Sequence, residues 1–178
     1  MPERKNKWYM VTLIGKDRSG IVSHVTAALY EGGGNLGESS MMRLGGNFSI
    51  MMMVEFSGRT KELHDVLSTV TESMGLHLHI DLIDAKLHEH RIPDVRISVY
   101  GADRAGIVSK VTTVLAEAGL NILDLESDVA GDKDKPLYIM HIEGEASEGI
   151  KALESALQIV KDEDGVDAEL VEIETLIG

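Results

Sequence analysis

Two short segments of the sequence carry residue types that could hold a small charged molecule. They read DRSGIV at residues 17–22 and DRAGIV at residues 103–108, and apolar residues at helical spacing follow each glycine. Each aspartate could accept hydrogen bonds from the unpaired backbone N–H groups at the start of that helix. Gly20 and Gly106 leave the first turn without a side chain, so a ligand carboxylate could approach the same N–H groups.

An asparagine after each of these helices is the second candidate. Asn35 and Asn121 follow a glycine-containing turn and begin the next predicted strand, where their amides could donate and accept together. The same residue types would also serve the fold alone, with aspartate as a helix cap and glycine and asparagine as turn residues. The residues by themselves leave both roles open.

Both segments belong to an internal repeat. Residues 15–36 align without gaps with residues 101–122, at an offset of 86, and 13 of the 22 positions are identical. Further on, residues 48–56 match 137–144 if the second copy carries three extra residues. Such an offset in 178 residues predicts two tandem domains, with limits at 1–87 and 95–178 and a linker at 88–94 that contains Pro93.

Each copy repeats one order of hydrophobic periods. In the first copy, strands are predicted at 8–14, 36–44, 48–56 and 76–82, and helices at 20–31 and 60–73. In the second, strands are predicted at 95–100, 121–129, 136–144 and 166–173, and helices at 106–118 and 147–161. Right-handed crossovers fold such a unit into an antiparallel four-stranded sheet with both helices on one face. We predict an α+β protein of two tandem ferredoxin-like βαββαβ domains.

A glycine run after the first helix has the spacing G-x-G-x-x-G, at Gly32, Gly34 and Gly37. A dinucleotide-binding loop with this spacing follows a strand and opens a helix, whereas this run follows a helix. The second copy lacks all three glycines and keeps only Gly33, as Gly119, where a helix C-cap needs a left-handed residue. We predict a helix cap and turn.

Composition excludes several classes of protein. The formal net charge of −13 disfavours direct nucleic-acid binding, because such binding depends on cations that contact phosphate. The chain has no cysteine, so disulfides and thiolate chemistry are excluded. No apolar run reaches the roughly 20 residues that span a bilayer, and no export signal is recognised. A cytoplasmic protein without membrane contact is expected.

Histidines at 77, 79, 88 and 90 raise a metal hypothesis. The pattern HEH lacks the spacing of a helical H-E-x-x-H site, and the second copy has Asp167 and Glu169 where the first has His77 and His79. A solvated strand face is the favoured interpretation, and no metal site is predicted.

Apolar residues also fall on the predicted helix-free face of the first sheet: Trp8, Met10, Met51 and Met53. Their counterparts in the second copy include Asp94, Arg96 and Ser98. A patch on only one copy suggests a cover, either the other domain, a second subunit or a partner, although ordinary packing would explain it equally well.

The two repeats, KDRSGIVSHVTAALYEGGGNL and ADRAGIVSKVTTVLAEAGLNI, resemble the ACT domain signature. That signature runs Asp-x-Pro-Gly-[Ile/Leu], then a helix, then Gly-x-Asn-[Ile/Leu]. Among ACT proteins, the tandem organisation and the stretches LGGNFSIMMMV and PLYIMHI are similar to the glycine cleavage system transcriptional repressor family. One departure is that Ser19 and Ala105 replace the usual proline.

The resemblance implies a regulator that binds an amino acid, with glycine as a candidate, between paired domains of an expected homodimer. It also implies action through a protein partner such as a transcription factor, without a cofactor. Carried over by position, the ligand-binding residues are Asp17, Arg18, Ser19, Gly20, Ile21, Asn35 and Leu36 in the first copy. In the second they are Asp103, Arg104, Ala105, Gly106, Ile107, Asn121 and Ile122.

No catalytic residues are predicted, because no nucleophile elbow, metal signature or phosphate loop occurs in the right context. The leading hypothesis is therefore a non-enzymatic, amino-acid-responsive regulator. Two alternatives remain: a constitutive protein-binding adaptor without a small-molecule ligand, and a metal-dependent enzyme built on the histidines.

Overall fold

The chain divides into two compact units, Met1–Leu87 and His88–Gly178. A computed structural model describes residues 6–84, 91–102, 105–132 and 135–173. Three of the seven residues of the predicted linker, 88–90, lie outside these ranges, so its limits stay a prediction. Within the same ranges, no helix is long and apolar enough to cross a membrane.

The first unit, domain 1, is a βαββαβ sandwich. Its elements are β1 (Lys7–Lys16), α1 (Ile21–Glu31), β2 (Asn35–Leu44), β3 (Asn47–Phe56), α2 (Thr60–Met74) and β4 (His77–Ile83). The strands form one sheet in the order β2-β3-β1-β4, and all three pairs of neighbours are antiparallel. β2 and β4 are therefore the edges of the sheet.

The second unit, domain 2, repeats this architecture. Its elements are β5 (Val95–Ala102), α3 (Ile107–Glu117), β6 (Leu120–Asp132), β7 (Lys135–Ala146), α4 (Ile150–Asp164) and β8 (Asp167–Glu172). The strand order β6-β7-β5-β8 matches that of domain 1 position by position, again with antiparallel neighbours. The predicted α+β fold of two tandem ferredoxin-like domains is confirmed.

Alternation along the strands builds the core of domain 1. Tyr9, Val11 and Leu13 are buried while the residues between them are more exposed, as a strand with one covered face requires. The apolar faces of helices α1 and α2 form the other side of the core, for example through Val25 and Leu67. The core of each domain thus lies between its helices and one face of its sheet.

The predicted alignment of residues 48–56 with residues 137–144 was wrong by one residue. Gly15 pairs with Phe48 in domain 1, and Gly101 pairs with Tyr138 in domain 2. Tyr138 therefore corresponds to Phe48, and the second copy carries four extra residues before this point instead of three. A shift of one residue would place every side chain of β7 on the wrong face of the sheet, so packing decides the register.

The glycine run closes helix α1, as predicted. The N–H groups of Gly32 and Gly34 donate to Ala28 and Leu29, at 2.9 and 2.8 Å. Gly33 has a φ of 81°, and its counterpart Gly119 has a φ of 83°, both in the left-handed region that favours glycine.

Candidate ligand-binding site

An open cavity of about 420 Å³ lies where β1 ends and α1 begins. Five of the seven site residues predicted for the first copy line it: Asp17, Arg18, Ser19, Gly20 and Ile21. The other lining residues come from the first turn of α1 and from the hairpin of β2 and β3: Val22, Ser23, Met41, Arg43 and Phe48. The volume falls in the range of about 300–1,000 Å³ that is typical of small-molecule sites.

Gly20, not Asp17, is the residue that precedes helix α1. It has a φ of 88°, and no side chain forms a capping hydrogen bond there. The carbonyl of Gly20 instead accepts bonds from within the first turn, from Ser23 Oγ at 3.0 Å and from Nδ1 of His24 at 2.6 Å. The interpretation of Asp17 as a helix cap was therefore wrong, because the left-handed glycine turns the chain after the aspartate.

The start of α1 presents backbone donors to the cavity. His24 supplies the first N–H group bonded within the helix, to the carbonyl of Gly20 at 3.0 Å. The N–H groups of Ile21, Val22 and Ser23 come before it and have no partner on the previous turn, as at every helix start. All three residues line the cavity, so an anionic group placed there would meet these donors and the positive end of the helix dipole.

Asp17 forms an ion pair with Arg43 across the cavity. Arg43 is opposite Phe48 in the β2–β3 hairpin, and Phe48 in turn is opposite Gly15, so the register brings the arginine to the end of β1. Sequence reasoning missed Arg43. The signal that could have found it is a single basic residue near the end of β2, two positions before the Gly45-Gly46 turn.

Arg18 is directed partly away from the cavity that it lines. Its Nη1 donates to the carbonyl of Met74, at the end of helix α2, at a distance of 3.5 Å. A bond of this length is weak. The guanidinium nearest to Asp17 is therefore that of Arg43.

The remaining predicted residues of the first copy lie at the other end of the sheet. Asn35 is opposite Glu55 near the end of β3, whereas the loop at Asp17 follows the end of β1 that pairs with the start of β3. The ten residues of β2 separate the two ends by about 30 Å at the usual rise of a strand. Domain 1 alone does not bring Asn35 and Leu36 together with the loop.

In domain 2, Asp103 and Arg104 lie outside the described residues. Ala105 and Gly106 are exposed, Gly106 repeats the left-handed φ of 88°, and Ile107 is buried in the core. The position of Arg43 is taken by Val129, which is opposite Tyr138 as Arg43 is opposite Phe48. The neighbouring strand therefore supplies a guanidinium near the loop of domain 1 and an apolar side chain at the equivalent position of domain 2.

Lys110 occupies the position of His24 in the first turn of α3. Its ammonium donates to Glu163 at 2.9 Å and lies 2.8 Å from Asp164, both near the end of α4. Hydrogen bonds to Asp164 and then to Glu163 raise the pKa of Lys110 above its ordinary value. The lysine is thus tied to its own domain by two carboxylates.

Asn121 also differs from its counterpart in domain 1. Its amide donates to Glu145 at 2.9 Å, and Arg91 donates to the same carboxylate at 3.0 Å. These two hydrogen bonds, first that of Asn121, lower the pKa of Glu145. Ile122, the next residue of β6, is opposite Gly144 of β7. It lies at the end of the sheet away from Gly106.

The histidines of β4 lie on a solvated strand face. His79 pairs with Asp81 at 2.9 Å, and 72% of the His79 side chain is exposed. Across the part of the chain that the structure describes, no three histidine or acidic side chains are grouped so that they could hold a metal ion. His88 and His90 lie outside that part.

The helix-free face of the domain 1 sheet carries the predicted apolar residues. Trp8 and Met10 are half-buried and alternate with buried Tyr9, and Met51 is 50% exposed beside buried Met52. On the equivalent face of domain 2, Arg96 is paired with Glu143 at 2.5 Å. Arg96 stands at the position of Met10, so domain 2 carries an ion pair where domain 1 carries an apolar side chain.

Comparison with known proteins agrees with this architecture. Models of the ACT domain match residues 8–81 and 95–165, one in each structural unit. UPF0237 protein YjhC of Lactococcus lactis is 38% identical over 76 residues, which cover 40% of this chain and 83% of the relative. A UPF0237 protein of Listeria innocua is 36% identical over 74 residues, with the same coverage of 40% and 83%.

Two solved structures span nearly the whole chain. An unknown protein from Galdieria sulphuraria has a TM-score of 0.78 and 28% identity, over 96% of this chain and 100% of that chain. A candidate glycine cleavage system transcriptional repressor has a TM-score of 0.69 and 18% identity, over 96% and 99%. The second likeness shows the fold alone. ACT domains bind small molecules such as amino acids in regulatory proteins and often dimerise, and with two such domains in tandem this chain belongs to the ACT domain family.

Proposed function

We propose that this protein is a non-enzymatic regulator that binds a free amino acid at the loop between β1 and α1. The observation that carries the proposal is the cavity of about 420 Å³, in which Asp17, Gly20 and the first N–H groups of α1 meet the guanidinium of Arg43. Helix N–H groups and an arginine bind a carboxylate, and an aspartate binds an ammonium. An amino acid carries both groups at neutral pH.

A second copy of the chain would complete the site. β2 is an edge strand of its sheet, and an exposed edge can pair with the same strand of another molecule. If two β2 strands pair antiparallel over their full length about a two-fold axis, Asn35 of one copy lies beside Leu44 of the other, near Arg43 and the loop. The homodimer thus unites residues that one domain separates.

The regulated process is proposed to be amino-acid metabolism, with transcription of the glycine cleavage system as the first candidate. The similarity of the fold to the candidate repressor of that system supports this choice. The net charge of −13 disfavours direct contact with DNA, so a transcription factor or another protein would carry the signal.

A second candidate function, a protein-binding adaptor without a ligand, is favoured by the apolar helix-free face of domain 1. A large apolar surface with adaptable methionines suits a protein contact. The adaptor would bind its partner equally well with and without amino acids.

Thermal unfolding in the presence of each common amino acid separates the two functions. A ligand at 100 times its dissociation constant stabilises a single site by about 2.7 kcal/mol, which raises the melting temperature measurably. At least one amino acid is expected to produce this shift. If none does at millimolar concentration, the adaptor is favoured and the regulator proposal fails.

A further inference from the structure

The ion pair between Asp17 and Arg43 is partly open to solvent, mainly on the side of Arg43. Arg43 is 68% exposed and Asp17 is 24% exposed in their side chains, and both line the cavity. Exposed ion pairs contribute little to stability because water and salt screen them and because ordering two side chains opposes the attraction. A ligand that offers each partner a new counter-charge can therefore replace the pair at little loss.

An α-amino acid offers both counter-charges on one carbon atom. Its carboxylate matches the planar guanidinium of Arg43 with two parallel hydrogen bonds, and its ammonium matches the carboxylate of Asp17. Building on the proposed function, we propose that an amino acid with an apolar side chain binds domain 1 by insertion between Asp17 and Arg43, and that domain 2 does not bind ligand in this way.

The difference between the domains follows from the residue type at one equivalent position of the shared register. Val129 stands at the position of Arg43, and it is 51% exposed, so it offers an apolar surface where domain 1 offers a guanidinium. Among the residues described near that helix start, Lys110 carries a positive charge, and its ammonium already lies within 3 Å of Glu163 and Asp164. A ligand carboxylate would have to compete with two resident carboxylates for that lysine.

Apolar side chains on the cavity wall define the ligand class. Val22 and Met41 line the cavity and are 40% and 51% exposed. Phe48 also lines the cavity and is buried at 3% exposure. A ligand side chain that covers Val22 and Met41 would remove apolar surface from water, and methionine adapts its shape to different partners. Leucine is therefore expected to bind more tightly than glycine.

Calorimetric titration of the full chain tests these points with four probes: leucine, glycine, N-acetyl-leucine and leucinamide. Leucine is expected to bind with one site per chain, and each capped derivative to bind about 10- to 100-fold more weakly because one charged contact is lost. Arg43→Gln is expected to weaken leucine binding by a similar factor of about 10 to 100. Arg43→Lys keeps the positive charge but not the planar guanidinium, so its leucine affinity is expected to lie between those of the wild type and Arg43→Gln.

Lys61→Gln is the matched control. Lys61 also loses one positive charge from an exposed ion pair, with Asp65, but it lies on α2 and does not line the cavity. Leucine affinity is expected to be unchanged in this variant, and circular dichroism compares the folding of all variants.

The outcomes separate the inference from the proposed function. If leucine binds and Arg43→Gln has no effect, the insertion between Asp17 and Arg43 is wrong while the regulator proposal stands. If two equal sites per chain are found, the restriction of binding to domain 1 is wrong. If glycine binds more tightly than leucine, the apolar ligand class is wrong. If the wild-type chain binds no amino acid, both proposals fall together.

Discussion

The side-chain amide of Asn121 donates a hydrogen bond to Glu145 across the β6–β7 hairpin, at 2.9 Å. The two residues are directly opposite each other in the register, as Asn35 and Glu55 are in domain 1. In domain 2 the carboxylate also accepts from Arg91 at 3.0 Å. The predicted ligand-binding asparagine of domain 2 is therefore already engaged with its own domain.

Asn121→Ala is expected to raise the pKa of Glu145 towards its ordinary value of 4.5, because the hydrogen bond of Asn121 is the largest cause that lowers it. A carboxyl group with a lowered pKa stabilises the fold above pH 4.5, and this stabilisation is lost as pH falls through the lowered value. The variant should lose less stability in that acidic window. Carbon-detected NMR titration of the glutamate carboxyls measures the pKa. Asn35→Ala is the control and should leave Glu145 unchanged; an unchanged pKa in Asn121→Ala would contradict the assigned cause.

Gly106→Ala is expected to destabilise the protein by about 1–2 kcal/mol, the usual penalty of a left-handed residue with a Cβ atom. Gly106 has a φ of 88°, and no atom of the described residues lies within 4 Å of the added carbon, so the expected effect is that of the backbone. Gly20→Ala should be worse, because its Cβ would lie 3.0 Å from the His24 ring. Chemical denaturation measures both. Adding His24→Ala to the Gly20→Ala variant should remove the extra loss of stability that the imidazole causes. Equal losses in Gly20→Ala and Gly106→Ala would show that the imidazole moves aside freely.

Gly32→Ala is expected to destabilise domain 1 by about 1–3 kcal/mol through overpacking. The added Cβ would overlap the side chain of Val66 on helix α2, although the φ of −76° at Gly32 suits any residue. Val66→Ala in the same chain should recover part of the loss by making room. Denaturant melts of both single variants and the double variant give the coupling. Additive effects would mean that the stability loss of Gly32→Ala does not come from overlap with Val66.

Met52→Ala is expected to lose about 2–5 kcal/mol of unfolding free energy, as core truncations do. Met52 is 1% exposed, whereas its neighbour Met51 is 50% exposed on the helix-free face. Met51→Ala should therefore change stability by at most about 0.5 kcal/mol. Urea unfolding of the two variants compares them directly. A large loss for Met51→Ala would show that this face is covered in the folded chain.

Mixing two defective variants tests whether a second copy completes the ligand site. Arg43→Gln and Asn35→Ala are each expected to bind the amino acid weakly when purified alone. If the site joins Arg43 of one copy with Asn35 of another, mixed dimers contain one intact site, and co-refolding the two variants restores part of the binding. Titration before and after co-refolding measures this recovery. No recovery, with dimers shown by sedimentation, would place the two residues in separate sites.

Much of the fold could be predicted from the sequence because it depends on local chemistry. Alternation of apolar residues in segments such as LHLHIDL specifies a strand with one covered face, and the repeated glycines after each first helix specify left-handed turns. Gly33 and Gly119 adopt that conformation. Since the two copies carry the same periods in the same order, the tandem architecture also follows from the residues.

The site was only partly predictable. The loop from Asp17 to Ile21 is continuous in sequence, so a cavity at the start of α1 brings these residues together. Arg43 is 26 positions away from Asp17, and nothing in the local pattern identifies it as their neighbour.

Local preference determined which segments became strands and helices and where the chain turned. Only the tertiary structure decided the register of β7, the meeting of Arg43 with Asp17, and the separation of Asn35 from the loop by the length of β2. The physical reason is that strand pairing joins residues far apart in sequence. Its register is selected by how whole faces pack against the helices, and no single segment contains that information.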